Sequence, residues 1–233
     1  MSRRALAVVA VAVAVLVGGG LALALAVTSG EAKHETSTGP AAVSEVAAML
    51  RGIPQQGIAL GSPRAPVTLV EFADPQCPYC GEWARTAFPE IVRRYVRTGK
   101  VRVVFNGMAF VGPDSATALR TALAAGRQGR FWNVLELLFQ NQGAENTGWV
   151  TEPLLRSIGD AVPGLDTQTM LDERDSPAVD RSITEAQALA YRAGVNATPA
   201  FAVGRTGQTL HAVRLESLDA SGLEPSLDAA LKS

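Results

Sequence analysis

The sequence is poor in the residues that hold many small or metal-dependent domains together. It has 2 cysteines and 2 histidines among 233 residues. One cysteine pair is sparse for a disulfide scaffold, and so few thiols and imidazoles leave little material for a metal site with four ligands. Lys and Arg number 21 against 22 Asp and Glu. Because the balance is weakly acidic and no basic cluster is present, nucleic acid is not an expected partner.

One long uncharged run is present, at the N-terminus. Residues 5–27 are mainly Ala, Val, Leu and Gly, and they follow Arg3 and Arg4. The run is long enough to span a bilayer and exceeds a usual signal-peptide core, so we expect residues 1–30 to form an uncleaved signal anchor. A signal peptide cleaved near Ala24–Leu25–Ala26, with or without a twin-arginine signal, is the alternative. Both interpretations place the rest of the chain outside the cytosol.

The remaining chain divides into a short polar stretch and one domain. Residues 31–56 are rich in Thr, Ser, Gly, Pro and charge, with a short helical phrase at 41–50. We interpret 31–56 as a linker. Residues 57–233 are numerous enough for one well-buried domain, and they show no internal repeat.

The two cysteines lie at a predicted junction between a strand and a helix. Val67–Ala73 is apolar on both faces, which is typical of a central strand covered by helices. Asp74–Pro75 indicates a turn, and a helical pattern begins after Cys77. Cys77 is therefore predicted at a helix N-terminus, where the helix dipole favours a thiolate. Cys80, three residues on, can reach Cys77.

Three interpretations of the cysteine pair compete. A structural disulfide would close so short a loop that it contributes about 2 kcal/mol at most. A metal site would need further ligands, and the two histidines, His34 and His211, lie far along the chain from the pair. A redox-active dithiol needs nothing more than the pair itself, and we favour it.

The other predicted elements form an α/β pattern with a helical block. We expect a short strand at 57–61, a helix over 78–97 kinked near Pro89, and a parallel strand over 101–106. Helices then fill about 113–193, where Phe131, Trp132 and Trp149 are expected to pack in the core, or in part to line a substrate groove. A strand at 195–204, its hairpin partner at 209–213 and a helix over 216–231 complete the chain.

Several phrases resemble one family. Cys77–Pro78–Tyr79–Cys80 after a strand, the phrase Gly129–Trp132 followed by Leu138–Gln142, and Val195–Phe201 with its central Thr198–Pro199 resemble DsbA-like thiol–disulfide oxidoreductases of the thioredoxin superfamily. The resemblance runs from about residue 57 to the C-terminus. It implies a thioredoxin-like α/β fold with a helical insertion over about 113–193, preceded by the transmembrane or signal segment.

The resemblance also implies roles for individual residues. Cys77 would be the exposed nucleophile, and Cys80 would resolve the mixed disulfide. Glu71 would be a buried acid that moves protons to and from Cys80, although a Glu facing water from a half-exposed strand is the alternative. Thr198 and a cis Pro199, rather than an ordinary trans turn, would align an extended substrate.

The expected activity follows from these roles. Pro78 and Tyr79 would contact the substrate beside the dithiol. The chain would need no cofactor, since the disulfide carries two electrons, and no metal. The expected partners are exported polypeptides that contain cysteine and a membrane quinone-linked protein that reoxidises the pair. The expected location is the cell membrane, with a single span and the catalytic domain outside, or a periplasmic or secreted form after cleavage.

Two features leave other functions open. Tyr79 stands where the best-known strongly oxidising members carry His, and Cys-Pro-Tyr-Cys also occurs in glutaredoxins and in an isomerase-type relative. A disulfide isomerase or reductase of the same fold is therefore one alternative, although 31–56 is short for the dimerisation module of an isomerase. A Cys-x-x-Cys metal chaperone and a pure anchoring or interaction domain are alternatives from other classes.

Overall fold

The computed structural model describes residues 40–233. Within this range, six strands form one sheet in the order β1–β2–β4–β3–β5–β6. The strands are β1 (Gln55–Gln56), β2 (Ala59–Leu60), β3 (Val67–Ala73), β4 (Val101–Gly107), β5 (Ala200–Arg205) and β6 (His211–Val213).

Helices connect and cover these strands. They are α1 (Val43–Leu50), α2 (Pro78–Thr86), α3 (Phe88–Ile91), α4 (Pro113–Gly126), α5 (Phe131–Gln140), α6 (Glu152–Asp160), α7 (Thr167–Asp172), α8 (Pro177–Arg192) and α9 (Glu224–Lys232). The predicted helix over 78–97 is broken between α2 and α3, next to Pro89, and ends in a π-helical turn over Val92–Val96. Proline has no N–H to continue the helical bonding there.

Strand β3 is the centre of the sheet, as predicted. It pairs in parallel with β4, where Glu71 lies opposite Phe105, and antiparallel with β5, where Glu71 lies opposite Phe201. Six of its seven residues are buried, since helices cover both faces. A strand that is hydrogen-bonded to a neighbour on each side is held in place along its length. Its C-terminal end therefore fixes the start of the turn that follows.

The helical insertion is also confirmed. Helices α4–α8 lie between β4 and β5 in the chain. Phe131 and Trp132 of α5 are fully buried, and Trp132 stacks on Phe88 with ring centroids 5.1 Å apart. Thr151 and Ser176 cap α6 and α8 by accepting a bond from a backbone N–H three residues on. The Phe131 ring also lies 5.3 Å from that of Phe105 in β4, so the insertion shares its core with the sheet through aromatic packing.

The prediction that residues 31–56 form a linker is wrong from residue 40 onward. Val46 and Leu50 of α1 are buried in the main core, and β1 joins the sheet. Arg97 donates from its guanidinium to the carbonyls of Met49 and Arg51, and so fastens the end of α1 to the domain. An apolar stripe on α1 overrides the polar composition around it, because burying that stripe stabilises the docked helix.

The C-terminal helix also begins later than predicted. The expected helix over 216–231 is an irregular stretch followed by a 3₁₀ turn over Ala220–Gly222, and α9 starts at Glu224. Asp219 accepts a bond from the backbone N–H of Ser221 and ends the irregular stretch. A short polar side chain that bonds to nearby backbone favours a turn over a helix at that point.

The predicted membrane segment lies outside the described residues. Residues 1–30 fall before the described range. Between residues 40 and 233, no helix has both the length and the apolar character needed to cross a membrane.

We expect Leu50→Ala to lower the free energy of unfolding by about 2–5 kcal/mol, because it leaves a cavity in the main core. Glu45→Ala on the exposed side of α1 is the control, and it should change this free energy by less than about 1 kcal/mol. Denaturant unfolding of the reduced chain measures both. Equal, small effects of the two substitutions would show that α1 does not contribute to the stability of the domain.

Candidate active site

The dithiol lies at the start of α2, after the turn that follows β3. Cys77 is the N-cap of α2 with extended backbone angles, and Pro78 occupies the first helical position. Proline fits there because the N–H that it lacks has no partner in the first turn. The first-turn N–H groups that remain open point toward the cap, so this position favours an anion such as a thiolate.

Buried Asp74 shapes the turn before Cys77. Its Oδ1 accepts a bond from the Gln76 N–H at 2.8 Å. Its Oδ2 accepts from the N–H groups of Phe110 and Val111 at 2.9 and 3.1 Å. The carboxylate therefore ties the turn to the loop after β4. The sequence indicates only the turn at Asp74, and the second set of bonds depends on the fold.

Amide side chains continue this support. Gln76 donates from Nε2 to Ser115 Oγ at 3.1 Å, and its Oε1 accepts from the Asn146 N–H at 2.8 Å. Gln76 is buried, so both ends of its amide need partners and find them. These bonds join the cysteine turn to α4 and to the loop after α5, two parts of the insertion. The sequence analysis did not single out these residues.

Both cysteines are free thiols in this structure. Cys80 is fully buried, whereas Cys77 is 6% exposed. The prediction of an exposed Cys77 is therefore wrong: Cys77 is buried, and the exposed residues beside it are Pro78 and Tyr79, the latter at 59%. A substrate must therefore fit closely against the site to reach the Cys77 sulfur.

The two thiols differ sharply in acidity. The pKa of Cys77 falls to about 6, mainly because the Cys80 thiol donates a hydrogen bond to it. Burial opposes this fall, while Thr198 and the backbone N–H groups of Cys80 and Tyr79 assist it. Burial raises the pKa of Cys80 well above its usual range, and the neighbouring Cys77 raises it further. At neutral pH, therefore, Cys77 is mainly a thiolate and Cys80 a thiol.

Thr198 and Pro199 complete the site from the other end of the chain. The peptide bond between them is cis, as predicted. The Cys77 thiol donates to the Thr198 carbonyl at 3.3 Å. Thr198 can serve both protonation states of Cys77, because its carbonyl accepts from the thiol whereas its hydroxyl can donate to the thiolate.

Glu71 is buried, as predicted, at 3% exposure. Burial raises its pKa to about 8, and the nearby Trp83 lowers it in part. The Trp83 indole N–H makes no hydrogen bond of normal geometry, so we assign it only a weak electrostatic influence on Glu71. At neutral pH the carboxyl group of Glu71 is mainly protonated and can give up a proton.

A second buried acid lies nearby. Glu136 of α5 is 1% exposed, and its Oε2 has no hydrogen-bond partner. Its pKa is raised well above the usual range, first by burial and then by the charge of Glu71. The sequence analysis missed this residue. The available signal was its position between Leu135 and Leu137 in an apolar helical run, where a lone Glu is costly.

The comparisons place the chain in a family. The thioredoxin family model matches residues 54–220. A "Probable disulfide bond formation protein D" from Bacillus cereus is 28% identical over 176 residues, which cover 74% of this chain and 78% of that protein. The chain therefore belongs to the thioredoxin family.

Solved structures agree with this assignment. A thioredoxin-like oxidoreductase from Silicibacter pomeroyi is 31% identical, with a TM-score of 0.57, and the match covers 75% of this chain and 92% of that one. Oxidised BdbD from Bacillus subtilis is 24% identical, with a TM-score of 0.66 and coverage of 78% and 98%. Among thioredoxin-family proteins, the chain is a DsbA-like thiol–disulfide oxidoreductase.

We expect Glu71→Gln to stabilise the reduced protein at pH 7 by about 3 kcal/mol or less. The unfolded chain ionises Glu71 near pH 4.5, whereas the folded chain does so only near pH 8. The native state therefore binds more protons between these values, and the contribution of Glu71 to stability falls as the pH rises through this window. The difference in unfolding free energy between the variant and the wild type should grow from pH 4.5 to pH 8 and then level off.

Denaturant unfolding across this pH range measures the difference. Glu82→Gln, an exposed acid on α2, is the matched control and should give a small difference without this pH dependence. A Glu71→Gln difference that stays constant from pH 4 to pH 9 would contradict the raised pKa.

Proposed function

We propose that this chain introduces disulfides into exported polypeptides through the Cys77–Cys80 pair. The observation that carries the proposal is the unlike placement of the two thiols. Cys77 caps α2 beside the Thr198 carbonyl, whereas Cys80 is fully buried, and this placement lowers the pKa of Cys77 and raises that of Cys80. Only the dithiol form has a thiolate to stabilise. Stabilising it raises the reduction potential of the pair, so its disulfide becomes an oxidant.

The reaction proceeds in two exchanges. A substrate thiolate attacks Sγ of Cys77 in the oxidised enzyme, so that a mixed disulfide forms and the Cys77–Cys80 bond breaks. Cys80 departs as a thiolate and takes up a proton. A second substrate thiol loses its proton and attacks the substrate sulfur of the mixed disulfide. The substrate disulfide forms, Cys77 leaves as a thiolate, and two electrons have passed to the enzyme pair.

The two sulfurs have different proposed tasks. Cys77 is the partly accessible sulfur, and its low pKa makes it the better leaving group in the second exchange. Cys80 has no exposed surface, so a substrate cannot reach it directly. Its role is then to close the enzyme disulfide or to release a substrate that stays attached to Cys77.

Glu71 is the proposed proton donor and acceptor for Cys80. Burial makes a lasting Cys80 thiolate unfavourable, so the departing sulfur needs a proton. Glu71 is protonated at neutral pH and also buried. No hydrogen bond joins the two side chains among residues 40–233, and we therefore propose that a water carries the proton between them.

Thr198 and Pro199 are the proposed docking point for substrate backbone. In the reduced form the Thr198 carbonyl accepts a bond from the Cys77 thiol. Neither the enzyme disulfide nor the mixed disulfide has an S–H at Cys77, so in both forms this carbonyl is free to accept an N–H from an extended substrate strand. Exposed Tyr79, together with Pro78, would line the approach to Cys77.

The proposed location is outside the cytosol, held at the membrane by residues 5–27. Arg3 and Arg4 before this uncharged run favour an N-terminus inside the cell. The proposed partner that restores the disulfide is a membrane quinone-linked protein, since each cycle leaves two electrons on the pair. The relative from Bacillus cereus is named for disulfide bond formation, which supports this direction of the reaction.

We predict that Cys80→Ser accumulates mixed disulfides between Cys77 and cellular proteins, because the residue that resolves them is missing. Cys77→Ser is the matched control, and it should form none, because Cys80 is fully buried. Non-reducing electrophoresis of cells that express each variant measures the adducts. Equal trapping by the two variants would contradict the assignment of roles.

The same cells test the location. A thiol reagent that cannot cross the membrane should label the untrapped Cys77 of Cys80→Ser in intact cells. Labelling that requires lysis would contradict the proposed placement outside the cytosol.

A further inference from the structure

The side chain of Gln142 reaches the carbonyls on both sides of Gln76. Its Nε2 donates to the carbonyl of Pro75 at 2.8 Å and to that of Cys77 at 3.0 Å. An amide nitrogen has two N–H groups, and both are used here. The Cys77 carbonyl also accepts the first bond of α2, from the Gly81 N–H at 3.1 Å. Gln142 thus holds the N-cap residue by the same carbonyl that starts the helix.

The absence of a side chain at Gly81 leaves room for this amide. A Cβ at Gly81 would overlap Oε1 of Gln142. Gly81 is helical and has no positive φ, so its own backbone would accept alanine. Glycine at this position leaves space for the Gln142 amide against α2 and also for Nη1 of Arg85.

Gln142 also stands just beyond α5, whose last residue is Gln140. Its neighbour Asn141 bonds elsewhere: its side chain accepts from the Ala41 N–H at 2.8 Å and donates to the Leu137 carbonyl at 2.8 Å. Two adjacent amides at the end of α5 therefore serve different parts of the molecule. Only Gln142 touches the turn that carries Cys77.

We propose that Gln142 is a positioning residue for the thiol exchange proposed above, and that it keeps the Cys77 sulfur over the first-turn N–H groups of α2. The N–H groups of Tyr79 and Cys80 stabilise the thiolate only if the cap keeps its extended conformation. Two bonds from one rigid amide restrict rotation of the Pro75–Cys77 segment. The helical insertion thereby acts on the reactivity of the dithiol without touching a sulfur. This role rests on the proposed function.

The test is the ionisation of Cys77 in the reduced full-length protein. The pH dependence of its alkylation by iodoacetamide gives the midpoint, and the wild type should show it near pH 6. Gln142→Met keeps the size of the side chain but removes both donors. We expect it to raise the midpoint by about one pH unit, which corresponds to the contribution of about one hydrogen bond, and to slow alkylation several-fold at pH 6.

Asn141→Leu is the matched control, because it also removes a neighbouring amide of α5 and leaves the charge unchanged. It should lower stability but leave the midpoint where it is in the wild type. If Gln142→Met does not fold, Gly81→Ala displaces the same amide from the other side and should raise the midpoint in the same direction.

The outcomes separate the two proposals. A low wild-type midpoint that Gln142→Met and Gly81→Ala leave unchanged overturns the role of Gln142 and leaves the proposed function standing. A shift in Asn141→Leu as large as that in Gln142→Met also overturns it, since the effect would then be one of general stability. A wild-type midpoint near pH 9, that of an ordinary thiol, would contradict both proposals.

Discussion

The position of Cys77 at the N-terminus of α2 is the constraint on which the chemistry of this protein depends. The cap places one sulfur where hydrogen-bond donors converge, whereas the other sulfur, three residues on in the first turn, is fully buried. One helix start therefore produces two unlike thiols from identical side chains. Interactions of a charge with a helix end are worth roughly 0.3–2 kcal/mol, so the Cys80 thiol and Thr198 are needed to lower the pKa of Cys77 as far as about 6.

Much of the surrounding structure keeps that cap in place. Strand β3 is bonded on both sides, and Asp74 and Gln76 fix the turn that follows it. Gln142 adds two bonds from the insertion. Unlike these residues, the two buried acids Glu71 and Glu136 lower the stability of the folded protein at neutral pH. A fold that retains such a cost in its central strand and in α5 fits a role in moving protons.

The sequence was sufficient to predict what local patterns determine. The apolar run at 67–73, the proline after Cys77 and the helical periods of the insertion specified the central strand, the cap and the fold class. It was not sufficient where contacts join distant segments. The bond from Gln142 to Cys77 spans 65 positions, and nothing near either residue indicates it. Helix α1 falls within the predicted linker because its short apolar stripe is weak evidence until the surface that covers it is known.

The central claim is that the dithiol form of the pair is stabilised relative to the disulfide form. Equilibration of the protein with mixtures of reduced and oxidised glutathione measures this directly, and denaturant unfolding of the two forms checks it through the same thermodynamic cycle. The pair should oxidise reduced glutathione readily, although it should be a weaker oxidant than members with His at the position of Tyr79. The reduced form should unfold at a higher denaturant concentration than the oxidised form. A pair that stays oxidised in excess reduced glutathione, with the disulfide form the more stable, would mark a reductase and contradict the account.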